Sequence, residues 1–174
     1  MKKLVFVMAL MLSSMAIFAQ ADVIKKHNGE TIKGSVLRVE EFTVVFTYEG
    51  ETAENSLSKL AVEKITFGKS GRVQNVTEKV NVRGEDDWEK VQVVEEKTYI
   101  AGLTKVGEIR GKTAFINVQT GNTGDKKALK KLKMAAAEMK CPFILITSEK
   151  TTVGSNSNGL GGSQSIKTGI AYKY

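Results

Sequence analysis

One segment of this sequence, ALKKLKMAAAEMKCPFILITSEK, restricts the fold more than any other. At 100° per residue Ala128, Leu129, Leu132, Ala135, Ala136 and Met139 fall on one arc of about 120°. Alanine, leucine, lysine and methionine dominate, so helix propensity is high from about Gly124 to Met139. Pro142 ends the helix at or before Cys141, because proline disfavours helical geometry in the residue before it. The strand PFILITSEK follows at once, apolar on both faces as a central strand is. A helix this short is marginal alone. Each large apolar side chain it buries contributes roughly 1.5–3 kcal/mol. The stripe therefore calls for a sheet to pack on, and an α+β unit is the expectation for this half.

The first residues, MKKLVFVMALMLSSMAIFAQADV, form a basic n-region, an apolar run and an Ala19-Gln20-Ala21 cleavage motif. They read as a signal peptide over 1–21, cut after Ala19 or Ala21. The apolar run is short for a bilayer about 30 Å thick. No cysteine stands at the cleavage site, which argues against a lipoprotein. No second hydrophobic span follows, so no membrane span is expected after cleavage. About 150 residues remain, enough for one medium domain or two small ones. With 26 Lys+Arg against 19 Asp+Glu the net charge is +7, and +5 once Lys2 and Lys3 are gone. That excess favours anionic surfaces weakly. One cysteine makes no internal disulfide, so burial must stabilise an exported chain. A bacterial periplasmic or secreted location is expected. The Asn75-Val76-Thr77 sequon would matter only in a eukaryotic secretory pathway.

From Asp22 to about Val82 helical periodicity is absent. DVIKK reads as a strand, and Asn28-Gly29 suits a two-residue hairpin. TIKGSVLRVE alternates, with Gly34 at a bulge or bend. FTVVFTY is the most β-prone stretch. SLSKLAVEKITF reads as an irregular piece leading into a strand at Glu63–Phe67. RVQNVTEKVNV reads as a last strand or an extended arm. Five short strands with a glycine bend predict a small curved barrel over 22–83. GEDDWEKV marks the junction, with Trp88 as a packing anchor between modules. Over 84–174, VQVVEEKTYI reads as a strand with a turn, and 103–118 as a long strand irregular at Gly107 and Gly111. Asn122 or Thr123 is the expected helix cap, with Asp125 beside the positive helix end. In SIKTGIAYKY, Ile166, Thr168, Ile170 and Tyr172 take one face, and Lys167 and Lys173 the other.

Two resemblances sit on these segments. IKKHNGETIKGSV with VEKITFGKSG resembles the Sm-like and SH3-like small barrels over roughly fifty residues. VGEIRGKTAF, the helix–strand segment and IKTGIAYKY resemble the heavy-metal-binding-domain family of small α+β proteins. They resemble, more distantly, the sensor lipoproteins of the Rcs envelope-stress pathway. This second resemblance covers about eighty residues. Gly169-Ile170-Ala171 stands at the family's closing G-x-A motif, while Lys140-Cys141-Pro142 departs from its Gly-Ala-Asn turn. The likeness implies ring-like self-association.

Chemistry-bearing clusters are sparse. A catalytic thiol needs a base and a lowered pKa. The only histidine, His27, lies in the other module, and a helix C-terminus opposes a thiolate at Cys141. Cys141 thus reads as a small buried apolar residue. A transition-metal site needs three or four nearby ligands, which the sequence does not group. GEDDWE lacks calcium-loop spacing. The loop TVGSNSNGLGGSQS (152–165) lacks the lysine of a phosphate loop and reads as a mobile hairpin excursion. Glu108 is the acid that stands out in an apolar strand, the basis of a third, hydrolase reading. Lys126, Lys130 and Lys133 share a helix side and form the possible partner-binding surface. The expectation is a non-enzymatic envelope protein without cofactor or metal, acting as an interaction or assembly module. Its partner would be a second copy or an envelope protein, not nucleic acid. The alternative is a small-ligand or metal-binding module with its site between domains or subunits.

Overall fold

Alternation along short strands builds the first sheet of the computed structural model, which describes residues 20–114, 121–155 and 161–174. The leader up to Ala19 and the tip of the Gly/Ser-rich loop at 156–160 lie outside the described residues. So does the end of the 103–118 strand. Strands β1 (Asp22–Lys26), β2 (Thr31–Val39), β3 (Thr43–Tyr48), β4 (Glu54–Ser58), β5 (Val62–Thr66) and β6 (Val73–Asn75) pair antiparallel in the order β4-β3-β2-β1-β5-β6. Their inward residues Ile24, Ile32, Val44, Phe46, Leu57, Val62 and Ile65 form one buried cluster. The hairpin turn after β1 uses Gly29 at φ 93°. Asn28 supplies its Oδ1 as acceptor for the Glu30 amide at 3.0 Å. Gly34 is required where β2 crosses β3, since a Cβ there would lie 1.9 Å from the Thr47 carbonyl oxygen. The register of β2 on β3 shifts just beyond it, between Val36 and Arg38.

The five-stranded barrel expected here is not formed. Six strands lie in open order, and no ladder joins β4 to β5 or β6 among the described residues. The reason lies after the GKSG turn. Val73–Asn75 returns to pair with Thr66–Lys64, so a sixth strand occupies the β5 edge where closure would occur. ENSLS also forms a strand, ahead of a 3-10 turn at Lys59–Ala61, where SLSKLA reads from sequence as an irregular piece.

The second unit is α+β, as read from the helix. Strands β7 (Gln92–Val94), β8 (Thr104–Lys112), β9 (Phe143–Ser155) and β10 (Gly161–Lys173) order as β7-β9-β10-β8, antiparallel except for β7 on β9. Helix α1 (Gly121–Glu138) packs on it. It is described from Gly121, so Asn122 and Thr123 lie in its first turn and not ahead of it. Ala128, Leu132 and Ala136 are fully buried, joined by Ala137 outside the predicted stripe. Trp88 packs against the core cluster that contains Ala137. It sits in a 3-10 turn at Glu85–Lys90 and packs against the same core as α1, within this unit and not across the junction. Val80 and Val82 already belong to that core, so the chain enters the second unit before Gly84. VQVVEEKTYI yields only three strand residues before a 3-10 turn at Lys97–Ile100.

The two faces of β10 differ from the sequence reading. Ile170 and Tyr172 do face one way, toward the first sheet. The opposite face, holding Ser165, Lys167 and Ala171, is covered by α1 instead of solvent. Lys167 is 7 % exposed and bridges to Glu149 at 2.7 Å. The 152–165 stretch is mostly strand, since β9 runs to Ser155 and β10 starts at Gly161.

Candidate functional site

The two sheets meet along a seam, and the side chains that hold it come from segments distant in sequence. The turn after β1 places His27 at the seam, its amide bonded to the Ala61 carbonyl at 3.0 Å. His27 is 8 % exposed. Its Nε2 lies 3.0 Å from Thr77 Oγ1. That hydroxyl stands 2.9 Å from both the Lys59 and Val62 carbonyls. Its one proton is therefore committed to a carbonyl, and its oxygen accepts from Nε2–H of His27. The Tyr174 ring lies 4.9 Å from the imidazole and 5.4 Å edge-on from Phe143. Tyr174 Oη accepts the Val80 amide at 2.8 Å. Lys79 Nζ donates to the His27 carbonyl at 3.1 Å.

Burial pushes the His27 pKa down. Glu63 opposes that shift, Lys79 adds to it, a hydrogen bond with the Thr77 backbone opposes it, and Lys25 adds to it. The sign of the linkage follows. Above 6.5 His27 is neutral folded and unfolded; below it the unfolded chain binds the proton first. Stability contributed by His27 is thus present at neutral pH and lost as pH falls through the window below 6.5. Urea unfolding at pH about 7.5 and about 5.5 is expected to show a larger loss for the native chain than for His27→Gln. Equal losses would remove His27 as the titrating group.

Above this anchored part the seam opens into a cleft of 540 Å³. Phe42 and Lys59 border it from the first unit, β7 and Tyr99 from the second. Phe42 is 44 % exposed and stacks on Tyr99 with centroids 4.2 Å apart. Burial raises the Tyr99 phenol pKa, and the carboxylates of Glu96, Glu41 and Glu95 raise it further. A second hollow of 500 Å³ continues past the same aromatic pair along β3 and β4.

The residues singled out from sequence lie elsewhere. Lys126, Lys130 and Lys133 do share one side of α1, with Lys126 and Lys130 exposed and Lys133 half-buried. Lys130 is engaged within the fold, its Nζ 4.7 Å above the Trp88 ring. Cys141 is fully buried in the helix-side core. Its thiol donates to the Met139 carbonyl at 3.4 Å, and burial raises its pKa despite Lys173. Glu108 is exposed on β8, so no apolar surroundings enclose it. Asp87 accepts from the Arg83 amide at 2.9 Å and from Lys90.

Two features escaped the sequence reading. One is a polar layer under the start of α1. Asp125 is held below its ordinary pKa by hydrogen bonds from Ser165 and Thr151, with Lys167 adding to the effect. The other is the Phe42–Tyr99 pair. Its signal was present as two acid pairs, each followed closely by an aromatic ring: Glu40-Glu41-Phe42 and Glu95-Glu96-Lys97-Thr98-Tyr99.

Among the described residues no three of His, Cys, Asp and Glu group as metal ligands, and no helix is long and apolar enough to cross a membrane. No family model matches this chain, and no curated protein matches it.

Proposed function

We propose that this chain is an exported envelope protein that works by contact, as an interaction or assembly module, and not by catalysis. One observation carries the reading. The seam cleft opens to a partner an aromatic pair, carboxylates and a strand edge drawn from both units. The reactive side chains are committed elsewhere, with Cys141 sealed in the core and His27 bonded to Thr77. The exposed Lys126 and Lys130, with Lys133, form a second surface, for an acidic partner. The bend at Gly34 and the shifted register of β2 support a first sheet curled toward a barrel.

Export rests on the leader, and the fold supports cleavage after Ala19. Gly68 packs on the Gln20 backbone so closely that a Cβ would lie 1.6 Å from its carbonyl oxygen. Asp22 then ties β1 to the Val36 and Gly68 amides, both at 2.8 Å. Cutting after Ala21 would remove that packed segment.

The test joins light scattering of the processed chain to cross-linking in intact cells and N-terminal sequencing. The expected results are a mass above the monomer or a reproducible cross-linked partner, and a chain that starts at Gln20. A strict monomer at high concentration, with no cross-linked partner, would overturn the contact role. The cleft's volume also favours a second reading, a small-ligand or metal module with its site between the units. Calorimetric titration with divalent metals separates the two, because saturable binding at about micromolar affinity belongs to the second.

A further inference from the structure

We propose that the seam cleft receives a short, extended, cationic peptide segment, added as a strand to the free edge of β7; this deepens the contact role above and rests on it. Three observations converge. The first is the direction of the backbone. β7 pairs parallel with β9, and Gln92 N–H donates to the Pro142 carbonyl at 2.9 Å. Backbone groups alternate along a strand, so those of Gln92 and Val94 face β9 and those of Val93 face away. Val93 borders the cleft, and β7 is the outer strand of its sheet. An unpaired edge of this kind is a template for an added strand.

The second observation is the aromatic pair. Phe42 and Tyr99 lie at the mouth of the same cleft, one from each unit, and supply apolar area beside the strand edge. The third is charge. Glu41 and Glu95 border the cleft with Lys59 as the cation. Glu96 and the other two glutamates act together on Tyr99. This acidic mouth lies on a chain whose net charge is +7. It matches lysine or arginine side chains on the incoming strand, while the rest of the basic surface repels the same segment and so directs it to the seam. β7 is three residues long, so the addition is short. The aromatic contact and the carboxylates then supply the remaining affinity.

The test uses a blocked, fluorescent heptapeptide of alternating lysine and valine. Its controls are the glutamate counterpart and two versions of the lysine peptide N-methylated on alternate amides, one in each phase. The protein is the chain from Gln20 onward. Saturable binding is expected for the lysine peptide, at least about tenfold tighter than for the glutamate one, which is 1.4 kcal/mol. One methylation phase should abolish it, and amide exchange at Val93 and Glu95 should slow on binding. Val93→Pro removes an outward N–H that the ladder does not use, a substitution edge strands tolerate. It should weaken binding at least about tenfold with the unfolding midpoint unchanged. Should that variant misfold, E95K/E96K changes exposed residues only and should weaken binding as much. The proposal falls if the lysine peptide does not bind, if both methylated peptides bind as well as the parent, or if both variants bind normally. If it falls while native chain and variants still cross-link to the same partner in cells, the contact role stands on another surface.

Discussion

Replacing Tyr174 with alanine is expected to lower the unfolding free energy by about 3 kcal/mol, more than any other change at the seam. The ring packs on Phe143 from the second sheet and His27 from the first, and Lys79 stands 5.5 Å above it. Truncating a packed aromatic typically costs about 3–5 kcal/mol, and the lower end applies because Tyr174 is half-buried. Its hydroxyl also accepts the Val80 amide, in the segment that carries the chain from one sheet to the other. Tyr174→Phe keeps the ring and strands only that donor, so about 1 kcal/mol should be lost. Urea unfolding gives both numbers. The His27 resonance gives an independent readout. With the ring gone, His27 loses much of the burial that lowers its pKa, so its titration should move up toward 6.5. An alanine variant that loses under 1 kcal/mol, with His27 unmoved, would show that Tyr174 does not hold the sheets together.

That seam also marks where sequence reasoning reached its limit. Helix α1 and strand β9 were legible because one local rule governs each. The period of 3.6 places Ala128, Leu132 and Ala136 together, and an unbroken apolar run from Phe143 needs cover on both faces. β4 was not legible, because Glu54, Asn55 and Ser56 have weak strand preference and are held by pairing with β3. β6 lies in the stretch read as a last strand or an extended arm, but no local rule places it on the free edge of β5, and that pairing takes the place of barrel closure. Lys167 was misplaced because a lysine in an alternating strand normally marks the solvent face. Here Glu149, its cross-strand partner, offsets the charge under α1. The candidate site was least legible of all. Phe42 and Tyr99 meet only once the two sheets dock, and no spacing rule links positions so far apart. The helix lysines, legible as a pattern, turned out to include one already stacked on Trp88.

Glycines 107 and 111 allow a sharper test of how α1 sits. Both read from sequence as irregularities in a long strand. Only Gly107 lies at one: β10 shifts register between Ala171 and Tyr172, opposite Gly107 and Lys105. Gly111 is regular strand directly beneath the helix. A Cβ on it would lie 2.0 Å from the Ala128 carbonyl oxygen and 2.7 Å from the Leu132 amide nitrogen. Those atoms are helix backbone, so relief requires lifting α1 off the sheet, and Ala128, Leu132 and Ala136 would lose their burial together. Gly111→Ala is therefore expected to cost about 3 kcal/mol or more and to broaden thermal unfolding. At Gly107 a Cβ would meet only Met139 Cε, at 3.2 Å. That flexible end can move, and Gly107→Ala should change stability by less than about 1 kcal/mol. The two substitutions add the same methyl group to the same strand, so propensity and unfolded-state entropy largely cancel between them. Their difference in calorimetric midpoint isolates the closeness of the helix. Two equal midpoints would mean that α1 does not cross β8 at Gly111, and the buried face of β10 would then need another cover.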